Sequence, residues 1–329
     1  MRMARRLRVL SAALAFMVLP SAAALRAQNT ARSAPRSAPR VGTILVAHGA
    51  SEAWNRPVLE LADSVRTDGG GPVEVAFLMG QAAPSHKLSD AMQKLAAEGV
   101  SEIVVVPILV SSSSEHYSQI RAMAGVSDSS APDAAARHSM AGMKSMSTAQ
   151  HSMAGMHDMS MSKPAGVHVP VVVTPALDGA PAVAEVLADR ARARAEDPSG
   201  QALFIIAHGP NSAEHYAGWM QTLRPLADTV RAHTGFRDVK IGLVRDDAPD
   251  EVRAEAVKRV REIITLQHEI TGKPVIVVPL LVSSGSVARV HFVKDLEGLP
   301  VVYAGTPLLP HPALARWVER RVRDALRAP

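Results

Sequence analysis

The chain has 329 residues, 47% hydrophobic and 20% charged, which suits about two globular domains and argues against wholesale disorder. It has no cysteine, so disulfides, thiolate nucleophiles, zinc–thiolate sites and iron–sulfur clusters are excluded, and any metal must be held by His, Met, carboxylate or backbone. Residues 1–40 carry eight Arg and no acid; without them the formal charge of +5 falls to about −3, and with aromatics at 3% the remainder lacks the basic, base-stacking surface of a nucleic-acid binder.

At the N-terminus, Arg2, Arg5, Arg6 and Arg8 precede an apolar run from Val9 to Leu19 and a small-residue stretch from Ser21 to Ala27. This pattern predicts a secretory signal peptide over 1–27, too short in its apolar part for a comfortable membrane span. The mature protein is then exported, periplasmic and without a membrane anchor; an uncleaved anchor is the competing reading. No Cys follows, which excludes a bacterial lipoprotein. Residues 28–40 repeat Arg-Ser-Ala-Pro and read as a flexible linker.

From residue 41 the chain repeats itself. Thr43–Gly49 (TILVAHG) returns as Leu203–Gly209 (LFIIAHG), and Glu102–Ser112 returns as Pro274–Ser284. A looser third pair joins Val169–Pro175 to Leu299–Pro307, each followed by an apolar helical stretch. Three matches in one order indicate an internal duplication. Val73–Leu78 and Val239–Val244 add a strand to each copy, and 55–67, 86–98, 217–233 and 250–269 have apolar residues at helical spacing. Val/Ile runs without polar alternation mean strands buried on both faces, hence parallel sheets flanked by helices. The expected architecture is two similar α/β lobes, 41–197 and 200–329.

The copies differ mainly over 126–168, where the first carries about 42 extra residues between its corresponding prolines. Within this insertion His138-Ser-Met-Ala-Gly-Met143 recurs as His151-Ser-Met-Ala-Gly-Met156. Met140, Met143, Met146, Met153, Met156, Met159 and Met161, with His138, His151, His157 and His168, gather soft thioethers and imidazoles. Thioethers favour Cu(I), so the tract reads as a copper-binding element; a disordered linker enlarged by repeat expansion is the plainer alternative.

The residues with chemistry lie at strand ends. In an open parallel sheet, ligands bind beyond the carboxyl ends of the strands. His48 and His208 each directly follow a strand, with Gly beside them giving backbone room, and His116 lies beyond the next buried strand of the first lobe. A neutral imidazole there can bind a divalent metal or accept a proton. A lone His is more often structural; a pair at one edge points to function. Ser111–Ser114, and Ser283 and Ser284, stand where helices begin and suit either carboxylate binding or simple capping.

The strand ending in Ala-His-Gly, the Val-Ala-Phe-Leu segment before Pro84, and the Val-Val-Val-Pro-Ile-Leu-Val strand with a downstream His resemble the CbiX/SirB-type sirohydrochlorin chelatases, in a long form with two fused halves. The resemblance implies flavodoxin-like lobes holding a tetrapyrrole between them. It also implies insertion of a divalent ion, Co2+ foremost and Fe2+ or Ni2+ as alternatives. His48 and His116 would act as ligand and proton acceptor, and His208 and His291 would be the second-lobe equivalents. The rim carboxylates of the macrocycle would meet Ser111–Ser114, Ser283 and Ser284. Where the family carries a Glu after Phe-Leu, this chain has Met79; Glu115 and Glu52 are the candidate substitutes, with Glu115 a candidate metal ligand. Export is at odds with a family whose chemistry belongs to cytoplasmic cofactor biosynthesis. The alternative function is a non-catalytic exported metal- or tetrapyrrole-binding protein whose main element is the Met/His tract. A sugar- or amino-acid-binding lobe pair finds no ligand motif in the sequence.

Overall fold

A computed structural model describes residues 40–67, 71–126 and 167–327. The predicted signal peptide, residues 28–39 of the linker and the tract from His138 to Met161 lie outside the described residues. Among the described residues no helix is long and apolar enough to cross a membrane.

The first lobe runs β1 (Val41–Ala47), α1 (Glu52–Thr67), β2 (Val73–Phe77), α2 (Leu88–Ala97), β3 (Glu102–Ile108), α3 (Glu115–Met123), β4 (Val171–Val173) and α4 (Pro181–Arg192). The second runs β5 (Ala202–Ala207), α5 (Ala213–Thr234), β6 (Asp238–Leu243), α6 (Asp250–Thr271), β7 (Val275–Pro279), a π-helical turn (Val287–His291), α7 (Phe292–Asp295), β8 (Val301–Tyr303) and α8 (Pro312–Ala325). Each lobe has a four-stranded sheet, ordered β2-β1-β3-β4 and β6-β5-β7-β8, with every pairing parallel. The two sheets are therefore copies of one topology, as the duplicated sequence requires.

The central strands are apolar on both faces because both faces are covered. β1, β5 and β7 are buried at every position, and β3 at all but Glu102. α1 turns Val58, Leu61, Ala62 and Val65 inward, a spacing of three and four residues that makes one apolar stripe. Asn55 is also buried, its Oδ1 accepting a hydrogen bond from the Ala50 amide at 2.9 Å, while Glu52, Arg56, Glu60, Asp63 and Arg66 are exposed.

The lobes exchange their last helices. α4, which follows the first sheet, packs on α5 and β7 of the second lobe, whereas α8, which ends the second lobe, packs on α1 and β3 of the first. One hydrophobic core consequently runs through both lobes, from Leu45, Val58 and Val106 to Leu187, Leu223, Val278 and Val318. Each sheet closes its outer face with a core of its own, around Met92 and Ile103 in the first lobe and around Phe204 and Phe292 in the second. This arrangement fixes the carboxyl edges of β1, β3, β5 and β7 around a shared gap.

Candidate active site

A cleft of about 590 Å³ opens between the lobes at those strand ends. This is within the usual size of a small-molecule site. His48, His116, Trp54 and Glu115 line it from the first lobe, and His208, His215, Trp219, Asp247 and Arg289 from the second. Arg289 is the cleft's one Lys or Arg among the described residues.

His48 is carried by the turn after β1. Gly49 stands at φ +83°, and a Cβ there would collide with the Met79 carbonyl oxygen, so only glycine fits. The equivalent Gly209, after His208, has φ +79° and would place a Cβ 2.9 Å from that of Leu243. Thus the Gly of Ala-His-Gly supplies the left-handed turn that aims each imidazole off its strand.

His116 is the second residue of α3, whose first turn is fixed by Ser114: its Oγ accepts a hydrogen bond from the Tyr117 amide at 3.2 Å. The His48 and His116 rings meet edge to face, centroids 5.0 Å apart and planes at 76°. His48 Nδ1 lies 3.0 Å from the Gly49 carbonyl oxygen. A carbonyl can only accept, so Nδ1 carries the hydrogen and Nε2 keeps its lone pair. Burial, followed by the neighbouring His116, pushes His48 from the ordinary 6.5 down to about 4. At neutral pH it is therefore an uncharged imidazole. Trp54 flanks it with its ring centroid 6.3 Å away.

The second lobe supplies His208, whose ring stands edge-on to Trp219 at 5.8 Å and 77°. Burial lowers its basicity, partly offset by Asp247 and Asp246. His215 on α5 crosses the gap: its Nδ1 lies 3.6 Å from the Glu115 carboxylate of the first lobe and 2.7 Å from Ser212 Oγ. Glu115 accordingly faces the cleft, beside an imidazole of the other lobe that the sequence did not reveal as its neighbour. Glu52, the other substitute considered for the missing acid, is exposed and does not line the cleft. Met79 is exposed, with its amide bonded to the His48 carbonyl oxygen at 2.8 Å, and also lies outside it.

His291 stands apart from the cleft. Its Nδ1 lies 2.6 Å from Asp246 Oδ2, a carboxylate also held by Arg253 at 3.2 Å, and Arg253 in turn binds both Asp295 oxygens at 3.0 and 2.9 Å. The position that matches His116, counted from the corresponding proline, is Ala288, which is buried. The π-helical turn of 287–291 places Val287 and Arg289 at the cleft in its stead.

The serines divide. Ser111, Ser114 and Ser283 line the cleft. Ser112 is bound to Asp178 through both its amide (2.8 Å) and its hydroxyl (2.7 Å), and its Oγ accepts from the Ala176 amide at 2.9 Å. Ser113 sits against Gly218 of the second lobe, so close that a Cβ on that glycine would overlap it. Ser283 donates to the Trp54 carbonyl oxygen at 2.8 Å and ties the lobes together beside the cleft. Ser284 lies outside it. Among the described residues no group of three or more His, Asp or Glu is gathered closely enough to cage a metal ion. The cleft offers a cation the His48–His116 pair, with coordination positions left over.

Two duplicated parallel α/β lobes facing one another across a gap make a chelatase-like fold, with a histidine pair at the gap. Residues 42–194, the span of the first lobe, match the CbiX family model. It is 36% identical over 73 residues to a sirohydrochlorin cobaltochelatase of Methanothermobacter thermautotrophicus, a stretch covering 22% of this chain and 49% of that protein. The match thus spans about half the length of the curated relative. Among solved structures, SirB from Bacillus subtilis with Fe3+ superposes with a TM-score of 0.58 at 14% identity, covering 87% of this chain and 95% of SirB. A multi-domain Deinococcus radiodurans protein with structural similarity to chelatases reaches 0.49 at 17% identity, covering 87% and 55%.

Proposed function

We propose that this protein is a tetrapyrrole metal chelatase that inserts a divalent ion into sirohydrochlorin or a related macrocycle. The observation that carries this reading is the His48–His116 pair, two imidazoles 5.0 Å apart at a cleft large enough for a small-molecule ligand. Insertion needs an ion held weakly enough to leave and a base for the pyrrole protons. His48, kept neutral by burial, offers Nε2 to the ion. His116, its partner across the edge-to-face contact, shares the ion and takes a proton once the ion has moved on to the ring. Trp54 and Trp219 line the cleft with flat apolar surface, and Arg289 and the Ser114 hydroxyl, which also line it, would meet rim carboxylates; Ser283 spends its hydroxyl hydrogen on the Trp54 carbonyl and Ser111 is buried.

The curated relative's name makes Co2+ and sirohydrochlorin the first pair to test, with Fe2+ and Ni2+ next. The test is the absorbance change on metallation by the purified protein. A wild-type rate above the spontaneous one supports the reading; a rate equal to it with all three ions overturns it.

We also propose that the protein works after export and that the Met/His tract binds Cu(I). The tract sits between α3 and β4, and α3 ends, as β4 begins, at the sheet edge away from the cleft. The thioether donors of the tract make it a softer site than the histidine pair of the cleft. Copper outranks cobalt, nickel and iron in intrinsic affinity, so such a site would withhold the competing ion. Deletion of 138–161 should remove most Cu(I) binding; unchanged stoichiometry refutes the role.

A further inference from the structure

The second lobe repeats the Ala-His-Gly turn, yet its histidine has different surroundings. His208 lines the cleft from the lobe opposite His48 and His116, held edge-on by Trp219. Among the described residues no hydrogen bond engages either of its ring nitrogens, whereas His48 is fixed by the Gly49 carbonyl. The loop after β6 sets two carboxylates, Asp246 and Asp247, near enough to favour a positive charge at His208. The Asp246 side chain is 3% exposed and already shared by Arg253 and His291; Asp247 is exposed and lines the cleft. The charged and titratable groups facing His208 are thus these two acids, together with His116 across the gap, and His48 feels its charge in turn. Burial opposes an imidazolium at both positions; beyond that, position 48 has two histidines against it and Asp247 as the one charge in its favour, whereas position 208 has His116 against it and both Asp247 and Asp246 in its favour.

We infer that His208 is a catalytic proton acceptor on the second-lobe side of the cleft, taking one of the two pyrrole protons that the incoming ion displaces and releasing it past Asp247 to solvent. The inference rests on the chelatase reading. A flat macrocycle between the lobes shows one face to His48 and His116 and the other to His208. As the dication descends from the first-lobe face, its bonds to the histidines give way to four metal–nitrogen bonds to the ring, and two ring N–H bonds break. One proton leaves toward His208; the other goes to His116 after the ion has left it. The ring gains no net charge, because two protons are exchanged for a 2+ ion.

The experiment compares wild type, His208→Asn and Asp247→Asn in sirohydrochlorin metallation, alongside Co2+ binding to the macrocycle-free protein. His208→Asn should lower kcat at least about tenfold, the lower end of what a positioned base contributes being roughly a hundredfold, while leaving Co2+ affinity within twofold. Asp247→Asn should move the acid limb of the kcat profile to lower pH, since the imidazolium loses a stabilising carboxylate. A His208→Asn rate within twofold of wild type overturns the inference and leaves the chelatase reading intact. So does a loss of Co2+ affinity in parallel with rate, which would make His208 a metal ligand. Wild type no faster than the spontaneous reaction removes both. If His208→Asn does not fold, the exposed Asp247→Asn decides: an unmoved profile overturns the inference.

Discussion

His48 and His116 come from different elements, a strand end and a helix start, and meet edge to face with centroids 5.0 Å apart. Protonating both rings at that distance is unfavourable, because two like charges would share a partly desolvated gap. Burial keeps His48 neutral, and a neutral imidazole is what a divalent ion requires.

The first expected outcome concerns acid. His48 titrates at about 4 in the folded protein and near 6.5 when unfolded. Above pH 6.5 neither state holds the proton and the fold is unaffected. As pH falls from 6.5 to 4 the unfolded chain takes up a proton that the folded one refuses, so stability drops across this window, by at most about 3 kcal/mol. Denaturant unfolding of wild type and His48→Gln at pH 4 and pH 7 checks this: the variant should lose less stability on acidification than wild type.

Gly49→Ala should damage both fold and site. The φ of +83° disfavours any L side chain, and the new Cβ meets the Met79 carbonyl oxygen. The strain is on the order of 1–3 kcal/mol. Thermal unfolding should show a lower Tm, and Co2+ affinity should fall because the His48 turn must shift.

In the second lobe, Arg253→Ala should leave the Asp246 and Asp295 carboxylates, 3% and 6% exposed, without their shared cation, and destabilise the fold by about 3–5 kcal/mol. His291→Ala, removing the more exposed partner of Asp246, should leave metallation within twofold of wild type. Measured side by side with His116→Ala, these rates tell which histidine serves the cleft.

Much of this was legible from residue types. The unbroken apolar runs Thr43–Ala47, Ile103–Ile108, Leu203–Ala207 and Val275–Val278 could be satisfied only inside parallel sheets covered on both faces, and that is where they lie. His48 and His208 were readable because the residue after a buried strand must emerge at the carboxyl edge. What escaped depends on packing between the copies. His215 reaches Glu115 only because the first turn of α5 in one lobe faces the first turn of α3 in the other, and Trp54 and Trp219 belong to different repeats. His291 was matched to His116 by order along the chain, but the π-helical turn changes which side chains reach the gap and hands that place to Arg289. Likewise the serine run gave no sign that Asp178 would claim Ser112 from 66 residues away.

The most direct test is a double-mutant cycle on kcat/KM for Co2+ insertion into sirohydrochlorin, with His48→Ala, His116→Ala and the pair. If the two imidazoles hand over one ion together, each single variant loses most of the rate and the double variant loses little more. Additive losses, or single variants that keep the wild-type rate, would contradict the claim that the cleft works through this pair.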